Sequence, residues 1–93
     1  MEFEWDPEKA GINLRTHRVS FSEAATVLSD TFGITVSDPD HSFGENRAIT
    51  VGMSNRHRLL MVAHTERGDR VRLISARELT RAERKVYEEE TEV

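Results

Sequence analysis

Apolar and polar positions recur at two different periods along this chain, and the switches between those periods mark its elements. Met1 to Trp5 alternates acids with aromatics, which predicts a short strand with Phe3 and Trp5 on one face. Asp6-Pro7 then predicts a helix start, because Asp is a good N-cap and Pro suits the first helical position. Ala10, Ile12, Leu14 and His17 give that helix a rough apolar side through about Arg18. A second helix begins at Val19-Ser20. Ser20 and Glu23 have capping-box spacing there, and Phe21, Ala24, Ala25 and Leu28 recur at helical intervals.

Beyond Gly33 the period shortens. Gly33–Val36 reads as a short strand, and the polar Asp38–Asn46, with Pro and Gly, reads as a loop. Arg47–Ser54 and Arg58–Thr65 are predicted strands joined by a tight turn near Asn55-Arg56-His57. Glu66-Arg67-Gly68-Asp69 supplies turn chemistry, and Arg70–Arg77 returns as the third strand. Thr80, with Glu83 three residues on, opens a closing helix to about Glu90. Its inner face is expected at Ala82 and Val86, Tyr87 lies at its flank, and the EEETEV end is expected to fray.

These elements predict one α+β domain over residues 1–93: two N-terminal helices and a C-terminal helix packed on an antiparallel β-sheet. A turn centred on Arg67-Gly68 would pair Thr65 with Arg70, His64 with Val71 and Arg58 with Arg77. On that register Arg58, Leu60, Val62, His64, Val71, Leu73, Ser75 and Arg77 share one face. Arg58 and Arg77 then meet at one end of the sheet, near the last helix.

Charge sharpens the picture. The whole chain carries −4, but Arg47–Lys85 carries +6 and the remainder −10. Arg67, Arg70, Arg72, Arg77, Arg81 and Arg84 crowd into one hairpin and the following helix start. A basic segment on an acidic protein is the footprint of a polyanion or an acidic partner; the bland alternative is that the charges interleave in space. There is no cysteine, hence no disulfide framework or thiolate metal site. No apolar run is long enough for a membrane span, and the acidic N-terminus lacks the character of a signal peptide, so a cytoplasmic location is expected.

The four histidines show no metal-ligand spacing, and neither a nucleophile elbow nor a glycine-rich phosphate loop occurs, so no metal or cofactor is expected. Phosphodiester chemistry is better served. Cleaving RNA through its own 2′-hydroxyl requires deprotonating that hydroxyl, stabilising the crowded phosphate and protonating the leaving oxygen. Guanidinium forks suit the second task. For proton transfer the composition offers His64, His57, Glu66, Glu78 and Tyr87, and spacing selects none of them. Arg77, at a strand end before a capped helix, is the first choice for the phosphate; the bland alternative is that it only ties sheet to helix.

FEWDPEKAGINL, VSFSEAATVLSD and HTERGDRVRLISARELTRAERKVYEEE, in that order, resemble the BrnT family of bacterial type II toxins. The most specific part is ISAR-x-x-T-x-x-E-R-x-x-Y, from Ile74 to Tyr87. The resemblance implies a RelE-like fold and a growth-arresting ribonuclease of the mRNA-interferase kind. It also implies a cognate DNA-binding antitoxin, through which alone the toxin reaches operator DNA. Two positions depart from the family pattern: Arg18 stands where Gly usually follows the histidine, and His57 sits in a turn that often contains Gly. Carried onto this chain, the resemblance implies catalytic roles for Arg77, His64, Arg81, Arg84 and Tyr87. Taken with the register and the charge, the candidate site is Arg77, His64, Tyr87 and Arg58 for catalysis, with Arg56, Arg72, Arg81 and Arg84 expected to bind RNA. A second reading, from a different class, is a non-catalytic module whose basic face binds an acidic partner protein.

Overall fold

The computed structural model describes residues 1–38 and 46–91. Its elements are β1 (Glu2–Glu4), α1 (Pro7–His17), α2 (Phe21–Val27), β2 (Ile34–Ser37), β3 (Arg47–Met53), β4 (Leu59–Arg67), β5 (Arg70–Glu78) and α3 (Arg81–Thr91). Most of the expected loop at 38–46 lies outside the described residues. So do positions 92 and 93 of the end expected to fray, whereas helix α3 itself continues through Thr91.

Local chemistry sets the helix starts. The Asp6 side chain accepts from the Glu8 N–H at 2.9 Å, with Pro7 opening α1. Ser20 accepts from the Glu23 N–H at 3.1 Å, but Glu23 does not complete the expected capping box. Its carboxylate turns inward to the Ser54 hydroxyl and the Arg58 guanidinium. At α3 the box is reciprocal: Glu83 N–H donates to Thr80 Oγ1 at 3.2 Å, and Thr80 N–H donates to Glu83 Oε1 at 2.8 Å.

The five strands form one sheet in the order β1-β5-β4-β3-β2. Strands β2 to β5 are antiparallel, as expected for the 47–77 region. The sheet as a whole is mixed, because β1 pairs with β5 in parallel, Glu2 beside Arg70 and Glu4 beside Arg72. The wholly antiparallel sheet is therefore corrected: the N-terminal strand enters at the far edge, after the hairpins have placed β5 there.

The register between β4 and β5 also differs from the expected one, for two reasons. Gly68, with φ at 65°, and Asp69 form the turn, so Arg67 pairs with Arg70 and His64 with Leu73. A register shift then falls between Ala63 and His64: His64 opposes Leu73 while Ala63 opposes Ser75, which leaves Ile74 without a partner on β4. That extra residue reverses the faces beyond it. Met61 consequently pairs with Arg77, and Arg77 lies on the face opposite Leu60 and Val62.

Val19, Phe21, Ala24 and Val27 pack against Leu60, Val62, Val71, Leu73 and Ala76 on one face of the sheet to make the core. Phe3 and Trp5 join its edge, Trp5 meeting Phe21 edge-to-face at 6.0 Å. Helix α1 does not bury the side its apolar residues suggested. Ile12 and Leu14 are 48% and 49% exposed, and Asn13 is the buried residue. Strand β1 ends beside Arg72, so farther along β5 the Ala76 backbone lacks a strand on that side. Asn13 replaces it: its amide donates to the Ala76 carbonyl at 2.9 Å and accepts from the Ala76 N–H at 3.0 Å.

Helix α3 stands over the other face. Ala82 and Val86 do point at the sheet, as expected, but across an apolar groove of about 380 Å³ shared with Ile34, Val36, Val51 and Met61. No α3 residue is buried, and Val86 is 58% exposed.

Candidate functional site

Beside α3 the same sheet face is open. Pairing across the strands places Val36, Ile49, Ala63 and Ser75 in one transverse row, and Ile34, Val51, Met61 and Arg77 in the next. The open part of this surface is a cavity of about 330 Å³. Ile49, Met61 and Ala63 form its apolar floor, while His17, Asp38, Arg47, Ser75 and Arg77 supply its polar wall. His17 arrives from the C-terminal end of α1, which the Asn13 contacts fix against β5. Arg47 opens β3, with its Nε 3.8 Å from an Asp38 carboxylate oxygen.

Arg77 is held firmly. Its two terminal nitrogens donate to the two Glu83 oxygens at 2.8 and 2.9 Å, and one of them also donates to the Glu78 carbonyl at 3.2 Å. The guanidinium beside it depresses the Glu83 carboxyl to about 2, helped by the Thr80 N–H. The Arg77 pKa is raised in turn, through the same hydrogen bonds. Arg77 thus ties sheet to helix and also faces the cavity.

The other sequence candidates scatter. Arg58 does not meet Arg77. It lies on the helix-covered side, where its Nε donates to Glu23 at 2.9 Å and its terminal nitrogens reach the Arg18 carbonyl and Glu78. Glu23 is 4% exposed, and its pKa is lowered chiefly by the Arg58 hydrogen bond. His64 is buried on that same side, its Nε2 2.8 Å from Thr50 Oγ1, which lies 2.6 Å from Thr35 Oγ1. Desolvation pushes its pKa down, against a smaller opposing effect of Glu66. Tyr87 lines the groove under α3 and donates to the Phe32 carbonyl at 3.3 Å. Burial, and then Asp30, raise its pKa.

Arg72 pairs with Glu4 at 2.9 Å and Arg70 with Glu2 at 3.2 Å. Arg56 sits in the β3–β4 turn, and Arg81 and Arg84 are exposed on the first turns of α3. None of these three makes an ion pair with a described residue. Much of the +6 segment is therefore neutralised in space by acids from elsewhere in the chain: Glu2 and Glu4 from β1 and Glu23 from α2. The charges interleave more than their order along the sequence suggested.

The cavity's remaining residues, His17, Arg47, Asp38 and Ser75, were not selected by sequence reasoning. Only the histidine before Arg18 carried a hint, as part of the motif whose next residue departs from the family pattern. Among the described residues, no three of His, Asp and Glu gather as a metal-binding group, and no described helix is long and apolar enough to cross a membrane.

A family model described as the ribonuclease toxin BrnT of type II toxin–antitoxin systems matches residues 5–83. The fold is similar to the crystal structure of the Brucella abortus ribonuclease toxin BrnT, with a TM-score of 0.64 and 21% identity, over 87% of this chain and 99% of that one. Comparison with curated protein sequences finds no match. Since the family model matches nearly all of the folded chain, from Trp5 in the edge of the core to Glu83 beneath Arg77, this protein belongs to the BrnT family of ribonuclease toxins of type II toxin–antitoxin systems.

Proposed function

We propose that this chain is an RNA-cleaving toxin of the RelE-like, mRNA-interferase kind, which needs no metal and works at the open sheet face. The observation that carries this reading is the convergence of His17, Arg47, Ser75 and Arg77 on one cavity, in a chain whose family is a ribonuclease toxin. The phosphate lies between Arg47 and Arg77, over the apolar floor of Ile49, Met61 and Ala63. Two guanidinium groups there favour the added negative charge of a pentacoordinate phosphorane. His17, at the rim, takes the proton from the 2′-hydroxyl or returns one to the leaving 5′-oxygen. The attack forms a 2′,3′-cyclic phosphate and releases a 5′-hydroxyl, with no external nucleophile.

His64 and Arg58 take no direct part in this scheme, since both lie on the helix-covered side. Tyr87, Arg72, Arg81 and Arg84 act by positioning α3 or by steering RNA toward the face. A type II toxin implies an antitoxin partner; operator DNA is reached through that partner, and free toxin arrests growth in the cytoplasm.

The test is incubation of the antitoxin-free chain with single-stranded RNA in EDTA. Products ending in 2′,3′-cyclic phosphate are expected from the parent and not from His17→Ala. Cleavage that depends on added Mg²⁺ and leaves 5′-phosphates, or no cleavage at all, would overturn the reading.

A further inference from the structure

A second cavity, of about 240 Å³, adjoins the first and is lined by Lys9, Ile12, Asn13, Thr16, His17, Ile74 and Ser75. His17 and Ser75 line both cavities, so they form the wall between them. We propose that this second cavity seats the unpaired base of the nucleotide adjoining the bound phosphate, with Ile12 and Ile74 as its shelf and Lys9 at the neighbouring phosphate. The proposal rests on the RNA reading above and deepens it by assigning a base subsite.

Three observations carry the inference. The first is the bulge: Ile74 is the one residue left unpaired where His64 opposes Leu73 and Ala63 opposes Ser75. Bulges re-aim side chains, and this one sets Ile74 in the lining of the cavity beside α1, where regular alternation would have paired it with Ala63 on the open face. The second is Ile12, which is 48% exposed on a helix whose buried residue is an asparagine. An exposed isoleucine alone needs no explanation. Here, however, it faces a second isoleucine across a cavity whose other lining is polar.

The third is the chemistry of the rim. Lys9 and Thr16 belong to the same helix as His17, and their side chains offer an ammonium and a hydroxyl suited to a phosphate–sugar backbone. The bases of single-stranded nucleic acid present flat apolar faces, which bind by burial and tolerate any sequence. A paired base has its faces covered by neighbours, so the shelf selects single strands. The two cavities share the wall formed by His17 and Ser75, so successive units of one strand can occupy both.

The decisive experiment measures binding, so that it stands apart from cleavage. Two fluorescent probes are used: a short, uncleavable 2′-O-methyl oligoribonucleotide, and the same backbone without bases. The parent is expected to bind the base-bearing probe more tightly by roughly fivefold or more, the scale set by burying one partly exposed aliphatic shelf. Ile12→Ser and Ile74→Ala should remove most of that preference and leave the abasic probe unaffected. Ile12 is exposed, so the first variant retains its fold even if the second does not. Lys9→Gln should weaken both probes alike and lower the salt slope by about 0.7, one phosphate's worth on a single strand. If Ile12→Ser keeps the full base preference, the shelf is overturned while RNA binding survives. If the parent binds neither probe, the RNA reading itself fails, and the shelf with it.

Discussion

Arg77 and Glu83 face each other as two parallel forks, with N···O distances of 2.8 and 2.9 Å, and join the end of β5 to the first turn of α3. The same guanidinium borders the cavity proposed to hold phosphate, so its two duties must be separated by experiment. Arg77→Ala should lower RNA cleavage by about 10²–10³, or roughly 3–4 kcal/mol of transition-state stabilisation. Arg77→Lys keeps the charge without the fork and should recover only part of this. Glu83→Gln loosens α3 yet leaves the arginine in place, so it should retain most of the activity. Equal losses in Arg77→Ala and Glu83→Gln would show that Arg77 acts only as a tie. Arg15→Ala, on α1 outside both cavities, is the surface control and should change little.

The same pair predicts an acid dependence of stability. Glu83 titrates at about 2 in the folded chain, against 4.5 for the ordinary carboxyl. A depressed carboxylate stabilises above its unfolded pKa, and that contribution is lost as pH falls through the folded value. Both partners are about one-third exposed, so solvent screening limits the effect to about 1 kcal/mol. Urea unfolding should show Glu83→Gln less stable than the parent at pH 7. The gap should close between about pH 4.5 and pH 2. A gap that persists at pH 2 would assign the defect to packing of α3.

His64 should matter to stability and not to chemistry. Its ring is buried against Thr50, and desolvation lowers its pKa below the ordinary value of 6.5. The unfolded chain therefore takes up a proton more readily, and stability conferred by the neutral ring is present above pH 6.5 and fades as pH falls below it. His64→Gln should lose that part of the pH dependence and cleave RNA at close to the parent rate. A large fall in cleavage by a folded His64→Gln protein would return this residue to the site.

Asn13 carries a prediction about the edge of the sheet. Its amide serves the Val19 carbonyl and both backbone groups of Ala76, all buried. Asn13→Ala strands those groups, at a cost of roughly 2–3 kcal/mol, which for a domain of this size lowers Tm by some ~10 °C or more. Asn13→Asp keeps the acceptor for the Ala76 N–H but sets a carboxylate against two carbonyls, and should be no better. A melting temperature close to the parent for Asn13→Ala would mean that water replaces the amide.

The elements themselves were legible because their signals are local: Asp6-Pro7, Ser20 and Thr80 cap helices where expected, and the hairpin strands alternate as strands do. What escaped was decided by partners distant in sequence. Glu23 has capping-box spacing, yet Arg58, 35 residues away, takes its carboxylate. Ile12 and Leu14 read as the inner side of α1 until the bare edge of β5 called for an amide at Asn13. One unpaired residue, Ile74, moved Arg77 to the face opposite Arg58. It thereby separated the expected site and brought Arg77 alongside His17, Arg47 and Ser75. Periodicity cannot place a bulge within Leu73-Ile74, where two adjacent apolar residues suit either register.

The two departures from the family pattern supply the last prediction. Arg18 and His57, where the resemblance leads us to expect glycine, adopt left-handed backbone angles with φ of 59° and 62°. Arg18 caps the C-terminal end of α1, its N–H donating to the Leu14 carbonyl at 3.0 Å. His57 closes the β3–β4 turn, its N–H donating to the Ser54 carbonyl at 3.0 Å. A side chain at such angles costs about 1–2 kcal/mol relative to glycine. Glycine in turn adds about 0.4–1 kcal/mol of unfolded-state entropy that must be lost on folding. The strain is the larger of the two, so Arg18→Gly and His57→Gly should each stabilise the chain by roughly 0.5–1 kcal/mol. Arg18→Ala and His57→Ala keep the Cβ and gain nothing. The backbone contacts survive each glycine substitution, including the Arg58 bond to the Arg18 carbonyl at 3.0 Å. Thermal melts of the two glycine variants beside their alanine counterparts decide the matter. Glycine variants no more stable than the alanine ones would mean that the left-handed angles carry no strain here.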